Sequence, residues 1–182
     1  GTWREIQDKL IVPKNRLIEL TKGSLTLGGL TVEPFSVSHD AADPIGINVF
    51  AGNDKATVVT DTGVISDDIL RRIDDTTLLV LEANYDPHML RFGPYQPFLK
   101  QRVASDEGHL SNEMAAQALL MMKRPNFMQV ILAHRSENNN NAVLVTQTIG
   151  KMLVDGGVRI GPEMKLQHGQ PNEIVSIQSV KR

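Results

Sequence analysis

The chain has 182 residues, 41% of them hydrophobic and 22% charged, which suits one sizeable core and argues against wholesale disorder or a fibrous architecture. Its formal net charge of -2 offers no global attraction for nucleic acid, and the lack of cysteine excludes disulfides, thiolate metal sites and cysteine nucleophiles. No apolar run approaches the roughly 18 to 20 residues that span a bilayer and the amino end shows no signal-peptide pattern, so a cytoplasmic protein without a membrane partner, a single domain over residues 1–182, is expected.

Trp3, Ile6 and Leu10 fall at helical spacing ahead of Pro13, which predicts a short helix. Arg16–Leu20, Ser24–Leu27 and Leu30–Val37 are β-prone runs punctuated by Lys22-Gly23 and Gly28-Gly29, in the manner of an antiparallel meander. Ile45–Phe50 and Ala56–Thr60, joined by Gly52-Asn53-Asp54-Lys55, read as a hairpin ending at Asp61. Ser66 is placed to cap a helix running to about Arg72, and Thr77–Ala83, almost wholly apolar, has the signature of a strand covered on both faces.

Asp86–Ala104 predicts short helices broken at Gly93-Pro94 and Pro97, and Ser111–Met122 a longer one with Met114, Ala118, Leu119 and Met122 on one face. Phe127–Ala133 reads as a strand and Asn141–Val154 as a helix stopped by Gly156-Gly157, with the asparagine run Asn138–Asn141 capping its start. Strands near Arg159–Leu166 and Glu173–Val180 close the chain. Strands first, then strands alternating with helices, make a layered α+β or α/β arrangement.

Three basic pairs, Arg71-Arg72, Lys100 with Arg102, and Lys123-Arg124, read as solvated surface features. Met121-Met122 reads as helix packing, and the glycine pairs lack the flanking pattern of a phosphate loop. A transition-metal site in this chain must use imidazole and carboxylate. His39, Asp61 and His134 each follow an apolar run, where a side chain passes from a strand into a loop. Taken singly, each also has an ordinary reading: a hydrogen-bonded histidine at a strand end, a turn residue before Thr62-Gly63, and a strand terminator.

In order along the chain stand Pro34-Phe35-Ser36-Val37-Ser38-His39-Asp40-Ala41, Thr60-Asp61-Thr62-Gly63, Leu81-Glu82-Ala83-Asn84-Tyr85-Asp86, Gly108-His109-Leu110-Ser111-Asn112 and His134-Arg135-Ser136-Glu137-Asn138-Asn139. With these motifs the chain resembles the metallo-β-lactamase-fold hydrolases, most closely the YycJ-like (WalJ) exonuclease branch related to transfer-RNA 3′ processing ribonucleases, over nearly its whole length. The resemblance implies an α+β fold, a four-layer αββα sandwich with the site at one edge between two sheets. It also implies that the fold is incomplete here on its amino-terminal side, because the family's HxHxDH cluster is not found in these residues.

By the same resemblance His39 completes a first metal site, Asp61 bridges two divalent ions, zinc or manganese, and His134 ligates the second. Glu82 stands where the transfer-RNA processing enzymes carry a glutamate that orients a preceding histidine, their proton donor. Leu81 occupies that histidine's place here, which leaves Glu82 to hold a metal-ligating imidazole. His109 is a candidate proton donor or phosphate contact, and equally a loop histidine capping the helix that follows. Asn112 and Ser136 are candidate substrate contacts, whereas His88 and His168 read as surface residues.

The implied activity is metal-dependent phosphodiester hydrolysis, a nuclease acting on DNA or RNA, with nucleic acid as its partner. Lacking the remaining ligands, the 182-residue chain is expected to be inactive or nearly so by itself. The same fold hosts acyl and thioester hydrolases, and a non-catalytic fragment with an open sheet edge would self-associate as a homodimer.

Overall fold

The structure is a computed structural model that describes residues 5–18 and 23–177. Among these, seven strands form one mixed sheet in chain order: β1 (Leu25–Leu27), β2 (Leu30–Ser36), β3 (Ile45–Ala51), β4 (Asp54–Val59), β5 (Leu78–Glu82), β6 (Met128–Ala133) and β7 (Met164–His168). From β1 to β4 neighbours run antiparallel; from β4 to β7 they run parallel. Of the three antiparallel joins two are tight turns, at Gly28-Gly29 and at Gly52-Asn53, the latter leaving Ala51 opposite Asp54, and the third, between β2 and β3, is a longer loop.

Parallel neighbours need crossovers, and each contains a helix. These are α1 (Asp67–Ile73) between β4 and β5, α2 (Pro87–Phe92), α3 (Pro97–Val103) and α4 (Asn112–Met121) between β5 and β6, and α5 (Ala142–Asp155) before β7. Four of the five start on a side chain that accepts from a backbone N–H three residues on: Ser66 from Ile69, Asp86 from Met89, Ser111 from Met114 and Asn141 from Leu144. Pro87 and Pro97 sit in first turns, so Pro97 opens α3 rather than merely ending what precedes it.

The strand register explains where the core sits. Val59 pairs with Leu81 and Leu81 with Leu132, one layer of a face that also carries Leu79, Val130 and Met164. This face is buried in one cluster with Ile69 and Ile73 of α1, Leu119 of α4, and Ile149 and Leu153 of α5. On the reverse face Val58, Val80 and Ile131 are only partly covered among the described residues. The expectation that the β5 run is covered on both faces is therefore corrected: its burial alternates with the pleat.

Further corrections concern the ends of the chain. Lys14–Arg16 forms a 3-10 turn, and Leu17 and Ile18 are irregular and exposed where a strand was expected; 19–20 lie outside the described residues. The short amino-terminal helix, by contrast, is present where described: residues 5–6 are helical and run into a 3-10 turn over Gln7–Lys9, with Trp3 outside the described residues. β7 begins only at Met164, because Gly161 turns the backbone at a φ of 99° just before it. Residues 173–177 are irregular, and the rest of the strand predicted there lies outside the described residues.

Candidate metal centre

Consecutive parallel strands present their carboxyl ends along one edge, and three of them supply the site. Asp61 follows β4, Glu82 is the last residue of β5, and His134 follows β6 directly. Asp61 and His134 both leave their strands in the left-handed region, with φ of 55° and 52°. Aspartate and histidine tolerate this conformation better than branched residues, and such departures cluster at functional positions. It lets each strand end abruptly while its side chain turns toward its neighbour.

His39 arrives from the other direction, on the loop between β2 and β3. That loop is pinned by Val37 N–H to Pro44 O at 3.2 Å, Asp40 N–H to Glu107 O at 3.1 Å and Gly63 N–H to Ser38 O at 3.0 Å. Two glycines make the approach possible. A Cβ on Gly63 would overlap the Ser105–Asp106 backbone, and one on Gly108 would overlap the carbonyls of Arg102 and Val103. The Gly108 carbonyl in turn accepts from His39 Nδ1 at 3.0 Å.

The result is a convergence that sequence spacing could only suggest. Nε2 of His39 lies 3.6 Å and Nε2 of His134 3.5 Å from the same atom, Oδ1 of Asp61. The His109 ring sits between the other two imidazoles, its centroid 5.1 Å from that of His39 and 5.2 Å from that of His134. His39, Asp61 and His109 each offer a donor atom within 4.8 Å of the others. All three predicted ligands are thus brought together, with His109 among them.

Glu82 organises the imidazoles from beneath. It is fully buried; Oε1 accepts from Nδ1 of His109 and from Nδ1 of His134, both at 2.7 Å, and Oε2 accepts from Thr62 N–H at 3.1 Å. Burial pushes its carboxyl upward, but the two imidazole hydrogen bonds and the backbone donor outweigh this and hold it below the usual carboxylate range. The same contact, against partial burial, raises His134 above the ordinary imidazole value. Glu82 does not line the cavity, so it acts through the rings it holds.

These contacts decide whether a divalent ion suits the site. With Nδ1 of His39 donating to a carbonyl and Nδ1 of His134 to a carboxylate, each neutral ring turns its Nε2 lone pair toward Asp61. Two lone pairs and a carboxylate oxygen, separated by more than a hydrogen-bond length, repel unless a cation or a proton lies among them. Imidazole and carboxylate donors with partnered outer nitrogens match the requirements of zinc or manganese.

A cavity of about 390 Å³ opens beside this cluster, lined by His39, His109 and His134 together with Tyr95, Arg102, Arg135 and Ser136. Ser136 is therefore available to a ligand, as expected. Asn112 is not: it is buried and exchanges amide hydrogen bonds of 3.1 and 2.8 Å with Asn140. Asn140 also donates to the carbonyls of Ala83 and Asn84, at 3.0 and 3.2 Å. His88 is exposed as predicted, whereas His168 is half-buried, with Nε2 2.9 Å from Thr146 Oγ1.

Sequence reasoning also missed Asn84, which donates to the His134 carbonyl at 2.8 Å and whose own carbonyl accepts from Ser136 N–H at 2.9 Å. It ties the loop after β6 to the end of β5. The only signal was its place two residues after Glu82.

Comparison with known proteins agrees with this architecture. The chain belongs to the β-lactamase superfamily, whose domain model matches residues 3–134. Within that class it stands with the YycJ-like proteins: it is 33% identical over 181 residues to the exodeoxyribonuclease YycJ of Bacillus anthracis, covering 98% of this chain and 69% of that one. The metallo-β-lactamase fold protein YhfI of Bacillus subtilis superposes with a TM-score of 0.55 at 14% identity, over 81% of this chain and 50% of YhfI. Zinc-bound PqqB of Methylobacterium extorquens gives 0.52 at 17% identity, over 81% and 48%. The chain spans about half the length of these two structures.

Proposed function

We propose that this chain carries part of the active site of a metal-dependent phosphodiesterase, a nuclease acting on DNA. The observation that carries the reading is the meeting of His39 Nε2 and His134 Nε2 on one oxygen of Asp61. The YycJ relative is named an exodeoxyribonuclease, which supports the substrate class. In this reading His39, Asp61 and His134 would hold divalent ions, zinc or manganese. Bound divalent ions would supply Lewis acidity toward a phosphoryl oxygen and toward the attacking water.

The chain's other residues position and move protons. Glu82 is a positioning residue: it fixes the tautomer of His134 and of His109, so that both present Nε2 to the cavity. His109, in its protonated form, gives its Nε2 proton to the departing sugar oxygen. Ser136, which also lines the cavity, contacts a non-bridging phosphate oxygen.

Two ions need more donors than three residues provide, and the 182 residues hold no HxHxDH cluster. Weak metal retention and little turnover are therefore expected from this chain alone, and activity from a fusion that supplies such a segment. Parallel assays of that fusion on a single-stranded oligonucleotide and on an acyl ester test the reading. Metal-dependent cleavage of the oligonucleotide supports it; hydrolysis of the ester alone rejects it in favour of an acyl hydrolase.

A further inference from the structure

Sequence alone assigns Lys100 and Arg102 to solvent, and the structure separates the two. Lys100 is tied down, its Nζ donating to the Arg91 carbonyl at 2.8 Å. Arg102, in the last turn of α3, lines the cavity with a side chain that is 60% exposed, so an entering anion can reach it. Its backbone is packed against the segment that leads to His109. The Arg102 carbonyl accepts from Ser105 Oγ at 2.8 Å, and the Val103 carbonyl beside it accepts from His109 N–H at 2.9 Å.

The guanidinium is aimed by Asp40, which also lines the cavity. Arg102 Nε donates to Asp40 Oδ2, and the other oxygen of that carboxylate, Oδ1, lies 3.5 Å from His39 Nε2. A single carboxylate therefore separates the guanidinium from the imidazole cluster. Of the five N–H donors of a guanidinium, Asp40 takes the one on Nε, and neither terminal nitrogen donates to any described residue. Those remaining donors form a planar fork that matches two oxygens of one phosphate. Because the Asp40 bond already restricts the side chain, less rotamer freedom is left to lose when a ligand arrives.

We infer that Arg102 grips the phosphate group that is cleaved at the imidazole cluster, and that Asp40 holds the fork in the direction this requires. The inference rests on the nuclease reading and adds to it a substrate-binding residue from α3. It also gives a chain of net charge -2 a local means of holding a DNA strand, a cation fixed at the wall of the cavity in place of a basic surface.

The test is binding of a fluorescein-labelled oligothymidylate to the chain in EDTA, followed by anisotropy over a series of salt concentrations. Arg102→Gln is expected to weaken binding about tenfold at low salt and to reduce the slope of log affinity against log salt by about 0.7, the loss of one single-strand phosphate contact. Arg102→Lys should keep the slope while losing part of the affinity, because a point charge replaces the fork. Arg71→Gln removes the same charge from an exposed position on α1 that does not line the cavity, and should change affinity less than about twofold.

Wild-type affinity and slope in a folded Arg102→Gln chain would overturn the inference and leave the nuclease reading standing. Equal losses in Arg102→Gln and Arg71→Gln would also overturn it, since the effect would then belong to overall charge. Should Arg102→Gln not fold, Arg102→Lys decides: unchanged affinity in that variant overturns the inference. No binding by the unsubstituted chain overturns both.

Discussion

One sheet, two halves: β1–β3 and β4–β7 differ in burial, in pairing and in what they contribute to chemistry. The antiparallel half leaves Leu27, Leu30 and Ile45 exposed, whereas β5 and β6 carry buried positions along most of their length. The parallel half supplies Asp61, Glu82 and His134 from strand ends; the antiparallel half supplies His39 from a loop. Helices packed over the parallel strands bury the strand segments from which three members of the site project. The fourth depends on backbone ties across a gap.

The sharpest way to break this contrast is through packing. Leu132, buried in β6 beside the site, should lose about 2 to 5 kcal/mol on substitution by alanine. Leu27→Ala in β1, where half the side chain is already exposed, should cost under about 1 kcal/mol. Urea denaturation of both variants measures the difference. Equal losses would mean that the halves do not differ in how they are held.

A second test works through Glu82. Glu82→Gln keeps the shape but removes the charge that both imidazoles lean on, and metal affinity should fall about 10- to 100-fold by calorimetric titration with zinc. His109→Ala separates two roles for that ring: retained zinc binding fits a proton donor, and a comparable loss makes it a ligand. Its donor atom lies close enough to those of His39 and Asp61 for either.

The third is a pH profile of metal-free stability. Glu82 has a lowered folded pKa, so its contribution is complete above the ordinary carboxylate range and fades as pH falls through the folded value. His134 has a raised one, so its contribution is complete below the ordinary imidazole range and fades as pH rises through the folded value. Thermal melts should therefore peak between those two ranges and decline on both sides. Glu82→Gln should flatten both flanks.

What could be read from the residues crosses that division: β1, β2 and β3 fall within a residue of the expected runs, whereas the parallel β7 begins later than expected. The parallel half announces itself through apolar runs, helix caps such as Ser66 and Asn141, and ligand-type residues placed just after the runs. All of these depend on neighbours in sequence, which is why β4, β5, β6, α1 and α5 fall close to their expected places. Asn112 and Asn140 were opaque because a buried asparagine in a reciprocal amide pair has the same local surroundings as a cap, and Asn84 because its acceptor, the His134 carbonyl, is distant in sequence. Only the fold brings Asn112 and Asn140, 28 positions apart, face to face.

The smallest expected effect bears on the loop of His39. Asp40 pairs with Arg102 at the cavity rim, and the guanidinium hydrogen bond holds the Asp40 carboxyl below its usual range. Arg102 is mostly exposed, and exposed pairs contribute little to global stability, so Arg102→Ala should leave the melting temperature unchanged within error. The tie is local. Asp40 N–H also donates to Glu107 O, joining the His39 loop to the segment that carries Gly108 and His109. Releasing the side chain should speed hydrogen exchange at the Asp40 amide while the amides of β5 and β6 stay protected. About 1 M salt, which shortens the screening length to about 3 Å, should bring the unsubstituted chain partway toward the variant. A change spread through the parallel strands would show that His39 is held by the core after all, and the two halves of the sheet would then act as one.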